Sequence, residues 1–171
     1  TEAVSRWEAA GDAGDMEAAK KLGPQTAEYT PDMVQETKDL FDLMGVSWVE
    51  APMEAEGAAA VMCSRGDVSA VASQDWDTLL YGSPVMVRNL TSHGTRRFGR
   101  VMSAERIYLS KTLESHGITR EQLVDLGIIV GTDFHPGIKG IGPKTGLKLM
   151  KKHGTMEAVA EAKGFELPEN L

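Results

Sequence analysis

The sequence predicts an α/β protein whose mostly parallel sheet is flanked by helices. Val68–Ser73 is a continuous run of small, mainly apolar residues, which is typical of a central strand covered on both faces. A helical segment from Glu54 to Ser64 precedes this run, and Val46–Glu50 has the pattern of a short strand before that helix. A strand–helix–strand unit of this length predicts a right-handed crossover between two parallel strands.

Helical sequence also comes before this unit. Residues 1–22 are rich in Ala, Glu and Lys and predict one exposed helix, in which Gly11 and Gly14 are weak points. Gly23-Pro24 is expected to end it, because proline cannot continue a helix.

A second helix is predicted from Thr30, a favourable N-cap followed by proline, to Gly45, a residue suited to the C-cap. Several of its side chains recur at helical spacing, and we expect them to make core contacts. They are Met33, Thr37, Leu40, Phe41 and Met44.

The chain after the parallel unit predicts further short elements. In order, they are a helical turn over Thr78–Tyr81, a strand over Val85–Leu90, a strand leading into a helix over Ile107–Gly117, and a helix opened by a Thr119–Gln122 capping box. The polar segment Thr91–Arg100 contains three arginines. We interpret it as the solvated tip of a hairpin rather than as a phosphate contact.

Composition restricts the function classes. The formal net charge is −7 and the sequence pI is about 5.1, which argues against nucleic-acid binding by bulk charge but leaves local basic patches open. The single cysteine, Cys63, cannot form an internal disulfide, which predicts an intracellular, reducing environment. No apolar run reaches membrane-spanning length, so no membrane partner is expected.

Two pairs of acidic residues follow the two predicted parallel strands. Glu54 and Glu56 come after the first strand, and Asp75 and Asp77 come after the second. Sites in open parallel sheets form beyond the carboxyl ends of the strands, so both pairs should lie at one edge. Each acid also has a purely structural alternative, such as an N-cap or a favourable interaction with a helix dipole. Together with Asp133, the acids predict a site for hard divalent cations, Mg²⁺ or Mn²⁺, without the His or Cys ligands typical of zinc.

A glycine-rich turn follows Asp133. Gly137–Thr145 reads Gly-Ile-Lys-Gly-Ile-Gly-Pro-Lys-Thr, and Pro143 opens a helix that continues to His153. Glycines at a helix N-terminus let the backbone N–H groups approach a phosphate closely. Five lysines make this the most basic stretch of the chain, which favours sequence-independent binding of duplex phosphates over a merely solvated helical corner. They are Lys139, Lys144, Lys148, Lys151 and Lys152.

These motifs together resemble those of the flap endonuclease family, which comprises structure-specific 5′ nucleases of archaea and eukaryotes. The resemblance rests on Ala51–Glu56, Ser73–Pro84, Val87–Thr91, Gly131–Phe134 and Gly137–Lys144. It holds from about Leu40 to Leu171 and more loosely from Thr1.

The resemblance implies a PIN-like α/β fold and two-metal phosphodiester hydrolysis in DNA replication and repair. It implies that two Mg²⁺ ions, which Mn²⁺ can replace, are held by Glu54, Glu56, Asp75, Asp77 and Asp133. It also implies a helix–two-turn–helix element that contacts duplex DNA through Gly137, Lys139, Gly140, Gly142, Lys144 and Thr145. A K⁺ ion is expected there on the backbone carbonyls of Gly137, Ile138 and Ile141.

The same resemblance implies a domain division. Residues 1–29 are expected to be the later part of a helical arch, residues 30–134 the nuclease core, and residues 135–171 the helix–two-turn–helix with its following helix. The implied compartment is the cytoplasm of an archaeon or the nucleus of a eukaryote, and the implied substrate is branched or flapped DNA.

The sequence also departs from the family pattern. The family has two further metal-site Asp residues and basic arch residues in an N-terminal region that does not precede Thr1, and a sliding-clamp peptide that does not follow Leu171. We therefore expect a fragment whose site is incomplete and whose own cleavage is weak or absent. Two alternatives stay open, namely a non-catalytic duplex-DNA-binding module and a PIN-type ribonuclease.

Overall fold

The computed structural model describes residues 2–23, 30–97, 99–132 and 136–165. Its contacts divide the chain into two compact units, Thr1–Glu50 and Ala51–Leu171. The boundaries predicted after residues 29 and 134 coincide with segments outside the described residues, and they stay predictions.

The first unit begins with two helices where one was predicted. Helix α1 covers Glu2–Asp12 and helix α2 covers Met16–Leu22. Gly14 between them has a φ of 71°, a left-handed conformation that interrupts a helix. The Asp15 carboxylate then accepts a hydrogen bond of 3.0 Å from the Ala18 N–H and caps α2. The single helix predicted over residues 1–22 is therefore wrong, because the glycine and the cap together start a new helix.

Helix α3 has the predicted bounds, Pro31–Met44. The Thr30 hydroxyl accepts from the Met33 N–H at 3.2 Å, and Gly45 closes the helix with a φ of 68°. The predicted core contacts are wrong: α3, whose residues are all described, has no buried residue, and Met33, Leu40 and Met44 are 47%, 52% and 65% exposed. Helical periodicity identifies the apolar face of a helix but does not show what covers it.

The strand predicted at Val46–Glu50 is also wrong. This segment runs without regular structure after α3 and is held by side chains. The Trp48 indole N–H donates to Asp42 at 2.9 Å, and the Lys38 ammonium pairs with Glu50 at 2.9 Å. A β-strand requires a neighbouring strand for its backbone groups, and no described residue pairs with this segment.

The second unit contains a three-stranded mixed sheet in the order β1-β2-β5. Strand β1 is Val71–Ala72, β2 is Val85–Arg88 and β5 is Glu105–Tyr108. Strands β1 and β2 are parallel, with Val71 opposite Met86, whereas β2 and β5 are antiparallel. The strands predicted near residues 68–73 and 85–90 are thus present but shorter, and the parallel pair is the one that carries Asp75 and Asp77 beyond its end.

A separate two-stranded hairpin occupies the arginine-rich segment. Strand β3, Arg96–Arg97, pairs antiparallel with β4, Arg100–Val101. Arg96 and Arg100 are exposed, which confirms a solvated hairpin.

Six helices complete the second unit as described. They are α4 (Ala55–Arg65), α5 (Asp77–Leu80), α6 (Leu109–His116), α7 (Arg120–Val130), α8 (Pro143–His153) and α9 (Met156–Lys163). The predicted capping box at the start of α7 is confirmed: the Thr119 hydroxyl accepts from the Gln122 N–H at 3.2 Å, and the Gln122 side chain accepts from the Thr119 N–H at 3.0 Å. The described residues include no helix long and apolar enough to cross a membrane.

The core has two parts. One lies under the sheet and contains Leu79, Met86 and Leu109. The other holds α7, α8 and α9 together and contains Ile129, Ile141, Met150, Met156 and Val159. Helices α7 and α8 cross closely at Gly146, where a Cβ would lie 2.6 Å from the Leu126 Cδ1 atom. This packing fixes the orientation of the glycine-rich turn between α7 and α8.

The glycine-rich turn supplies a stability test with a matched control. Gly137 has a φ of 70°, and a Cβ there would lie 2.4 Å from the Val130 carbonyl carbon. Gly140 has a similar φ of 88° but has nothing within 4 Å of such a Cβ. We expect Gly140→Ala to lower the free energy of unfolding by about 1–2 kcal/mol from left-handed strain. Gly137→Ala should cost more, about 2–5 kcal/mol, because overpacking against backbone is added.

Chemical denaturation of both variants measures the difference. Equal losses for the two variants would show that the close approach of Gly137 to the end of α7 contributes nothing.

Candidate functional site

Asp75 and Asp77 lie in a tight turn directly beyond the carboxyl end of β1. The Ser73 hydroxyl accepts from the Asp75 N–H at 3.0 Å, and the Asp75 carboxylate accepts from the Asp77 N–H at 2.9 Å. Such side-chain turns are a usual role of Asp near a helix start, and α5 begins at Asp77. The structural alternative for Asp75 is therefore real, although a carboxylate has acceptor capacity beyond a single hydrogen bond.

Glu54 and Glu56 lie at the start of α4. Glu54 is the N-cap residue, but its side chain makes no capping hydrogen bond, and Glu56 lies in the first turn. The structure therefore gives the Glu54 carboxylate no local capping role.

Helix α4 packs along the segment that follows α5. The Ser64 hydroxyl donates to the Gly82 carbonyl at 3.3 Å, and the Cys63 thiol lies 3.9 Å from the Val85 carbonyl. At the other end of the helix, a Cβ on Gly57 would lie 3.4 Å from the Tyr81 ring. Small residues thus hold the first turn of α4 beside Tyr81, and Cys63 is a buried packing residue.

The four described acids all influence the pKa of the Tyr81 phenol. Burial raises its pKa above the usual value of 10.0, and the negative charges of Glu54, Asp77, Glu56 and Asp75 raise it further, in that order. All four carboxylates therefore lie within electrostatic reach of one hydroxyl. Only Asp75 and Asp77 follow a described strand, because the strand predicted before Glu54 and Glu56 is absent.

The ligand set itself is only partly formed. Within the described ranges, no three His, Cys, Asp or Glu side chains converge closely enough to hold a metal ion. Asp133 lies outside the described residues. The side chains of the four described acids offer only carboxylate oxygens, which is the donor chemistry that Mg²⁺ and Mn²⁺ prefer.

Arg88 is a residue that the sequence analysis missed. It ends β2, and its guanidinium stands over the ring of Trp76 at 4.2 Å. Trp76 lies between Asp75 and Asp77 in the sequence. Its guanidinium donates to the Gln74 carbonyl at 3.3 Å. The signal was its place at the end of the strand next to β1, where the Ser73 N–H donates to the Val87 carbonyl at 3.2 Å. Arg88 thus holds the Asp75–Asp77 turn from the neighbouring strand.

The loop that contains Asp133 has both ends anchored near the end of α7. The Gly131 N–H donates to the Gly127 carbonyl at 2.8 Å, and the Ile138 N–H donates to the Ile129 carbonyl at 2.7 Å. Only residues without a Cβ fit where the two ends meet, since a Cβ on Gly131 would lie 2.9 Å from the Pro136 oxygen. The chain therefore leaves α7, passes Asp133 and returns to α7 before the glycine-rich turn.

The glycine-rich turn presents its polar residues outward. Ile141 is buried and anchors the turn, and its N–H donates to the Ile138 carbonyl at 3.0 Å. Gly142 is the N-cap of α8 and supplies no side-chain cap. The exposed residues around it are Lys139, Gly140, Gly142, Lys144, Thr145 and Lys148, whereas Gly137 and Ile138 are half-buried. The turn thus combines an exposed helix N-terminus with lysines, an arrangement suited to phosphate.

Known proteins are similar to this chain in sequence and in fold. The family model described as the XPG I-region matches residues 45–133, the segment that contains all five predicted acids. The chain belongs to this family, that of the flap endonucleases.

Individual relatives agree with the family match. Flap endonuclease 1 of Ignicoccus hospitalis is 46% identical over 170 residues, covering 96% of this chain and 49% of that protein. The structure of flap endonuclease-1 from Methanococcus jannaschii superposes with a TM-score of 0.70 at 41% identity, covering 87% of this chain and 45% of that one.

A further solved structure, described as the catalytic core of Rad2 in complex with DNA substrate, matches with a TM-score of 0.69 at 25% identity, covering 78% of this chain and 43% of that one. These neighbours confirm the predicted PIN-like α/β class. The chain spans about half the length of the curated flap endonucleases it matches.

The electrostatic arrangement around Tyr81 predicts an ordered effect of charge removal. Glu54→Gln should lower the Tyr81 pKa more than Glu56→Gln, because the charge of Glu54 raises it more. The phenol binds its proton more tightly in the folded than in the unfolded chain. Its contribution to stability is therefore present below the unfolded pKa of 10.0 and is lost as the pH rises through the folded value.

The tyrosine ¹³Cζ resonance, followed by NMR across the alkaline range, measures this pKa. A Tyr81 pKa that does not fall in Glu54→Gln would show that Glu54 lies away from the phenol.

Proposed function

We propose that this chain belongs to a structure-specific 5′ flap endonuclease and 5′–3′ exonuclease in DNA replication and repair. It supplies one side of the active site and, in the glycine-rich turn, the contact with duplex DNA. The observation that carries the proposal is the family match over residues 45–133, which contains both acid pairs that the fold gathers around Tyr81. The Rad2 structure with DNA substrate supports DNA as the substrate class.

The proposed metal ligands are Glu54, Glu56, Asp75, Asp77 and Asp133. Bound Mg²⁺, or Mn²⁺ in its place, would supply an activated water and stabilise the leaving oxygen of a phosphodiester. The residues of the chain have positioning roles. The Ser73–Asp75–Asp77 hydrogen bonds fix the second acid pair, and α4 presents the first pair without a competing cap. Mutual repulsion of these carboxylates is the physical reason for a cation to bind there.

The proposed duplex contact is the turn before α8, through Gly137, Lys139, Gly140, Gly142, Lys144 and Thr145. Its exposed lysines and its helix N-terminus support phosphate binding without base contacts. A K⁺ ion on the carbonyls of Gly137, Ile138 and Ile141 would add positive charge beside the same phosphate. The carbonyl of Ile138 already accepts from Ile141, so such an ion would share it.

The active site of the full-length protein is proposed to need ligands beyond these residues. The described acids form no complete ligand set, and the chain spans about half of its flap endonuclease relatives. Its partners are proposed to be flapped or branched DNA and, through a tail beyond Leu171, a sliding clamp.

Removal of one carboxylate tests the catalytic role. Asp77→Asn in the full-length protein should abolish Mg²⁺-dependent cutting of a 5′-flap DNA, by about 10³-fold or more, because a metal ligand is lost. Flap binding in the presence of Ca²⁺ should change little. Single-turnover cleavage and fluorescence anisotropy measure the two effects.

The 171-residue chain alone is the second arm of this experiment. We expect it to bind DNA and to cut weakly or not at all, and robust cutting would contradict the incomplete site. Full activity of Asp77→Asn would instead favour a non-catalytic DNA-binding module, and preferential cutting of single-stranded RNA would favour a PIN-type ribonuclease.

Removal of lysines tests the proposed contact between the glycine-rich turn and duplex DNA. Lys139→Ala and Lys144→Ala should each weaken duplex binding to all sequences similarly and reduce the slope of log affinity against log salt by about 1. Lys163→Ala on α9 is the matched control, because this lysine is exposed and lies in the same unit but outside the glycine-rich turn. Anisotropy titrations between about 50 and 200 mM salt, a range over which counterion release is usually seen, give the slopes. Equal slopes for the variants of the glycine-rich turn and for the control would show that this turn does not contact DNA.

A further inference from the structure

Tyr81 belongs to one helix and contacts another, and each of the two helices begins beside one of the acid pairs. It is the C-cap of α5, the short helix that begins at Asp77, and its ring lies against Gly57 in α4. Gly57 follows Glu56 directly in the chain. One aromatic ring therefore stands between the elements that carry the two acid pairs.

The contact between Gly57 and Tyr81 is one end of a longer packed face. Residues 57, 60 and 64 of α4 lie on one side of the helix at helical spacing. Ala60 is fully buried, and the Ser64 hydroxyl donates to the Gly82 carbonyl at 3.3 Å. The far end of α4 is thus fixed by hydrogen bonding to the segment after α5. The near end, where Glu54 and Glu56 lie, meets that segment at the Tyr81 ring.

We propose that Tyr81 is a positioning residue of the carboxylate site, whose ring, seated on Gly57, sets the separation between the Glu54–Glu56 pair and the Asp75–Asp77 pair. The inference rests on the proposed function, since it concerns the same acids as ligands of a hard divalent cation. Tyr81 does not contact the reacting atoms in this proposal and acts through the elements it separates.

The rigidity of the ring and the repulsion between carboxylates both affect the separation of the two acid pairs. Like-charged carboxylates repel, so without a cation the two acid pairs tend to move apart, and no attraction between them fixes their distance. A rigid ring with only two side-chain torsions fixes a distance at small entropic cost. The ring is also uncharged, so it can stand among four carboxylates without neutralising any of them. Gly57 matters because a larger side chain at this place would push the ring away.

Binding of Mn²⁺ alone to the full-length protein, followed by the EPR signal of free Mn²⁺, tests the inference. Tyr81→Leu should weaken Mn²⁺ binding by about tenfold or more, as for other residues that support metal ligands. Tyr81→Phe keeps the ring and should stay within about twofold of the parent, given that scale. Tyr108→Leu is the matched control: Tyr108 is 37% exposed against 38% for Tyr81, but it lies on β5 at the start of α6.

The glycine supplies an independent arm in case Tyr81→Leu does not fold. Gly57→Ala should bind Mn²⁺ normally, because its Cβ would lie at an ordinary contact distance of 3.4 Å from the ring. Gly57→Leu should weaken binding as Tyr81→Leu does. The double variant should be no weaker than either single variant, since both changes remove one contact.

The outcomes separate the inference from the function on which it rests. Asp77→Asn is the reference. If Asp77→Asn leaves Mn²⁺ binding unchanged, the proposed metal site fails. If Asp77→Asn weakens binding but Tyr81→Leu and Gly57→Leu do not, the site stands and the role of Tyr81 is overturned. Equal losses in Tyr81→Phe and Tyr81→Leu would also overturn it, because the hydroxyl and not the ring would then be responsible.

Discussion

The packing of α4 along the segment after α5 is the interaction on which the placement of the four described acids depends. Nothing in the charges of Glu54, Glu56, Asp75 and Asp77 favours their approach, so other contacts must enforce it. The structure does this with small residues along α4, with the hydrogen-bonded turn after β1, and with Arg88 from β2. The stability of the packed face therefore supports an arrangement that is unfavourable by itself, as is common at functional sites.

The α7–α9 packing solves a different problem, the presentation of a backbone turn. Glycine at position 146 lets α7 and α8 approach, and Ile141 and Met150 are buried between them. The Gln122 side chain donates to the Gly154 carbonyl at 3.0 Å, so the capping residue of α7 also fixes the end of α8. The packed helices thus hold the turn in place while Gly140, Gly142, Lys144 and Thr145 stay exposed.

Features set by residues close together in the chain could be predicted from the sequence, and features set by distant residues could not. Caps and helix bounds at Thr30, Gly45 and Thr119 were predicted well because the residues that decide them are neighbours in the chain. The strand at Val46–Glu50 and the core role of α3 were wrong because each needs a partner that local pattern does not supply. Asp75 and Asp77 follow a strand as predicted, whereas the strand expected before Glu54 and Glu56 is absent from the described residues. Tyr81 and Arg88 were missed because their significance depends on spatial neighbours, namely Gly57 and Trp76.

The loop between α7 and the glycine-rich turn connects the two halves of the proposed site. Lys139 follows Asp133 by six residues, which limits their separation to roughly 20 Å even for a fully extended chain. The described residues on either side of this segment lie close together, because the Ile138 N–H donates to the Ile129 carbonyl at 2.7 Å and Gly131 and Gly137 approach closely. Under the proposed function, a phosphate bound at the turn is therefore held at a limited distance from the Asp133 carboxylate.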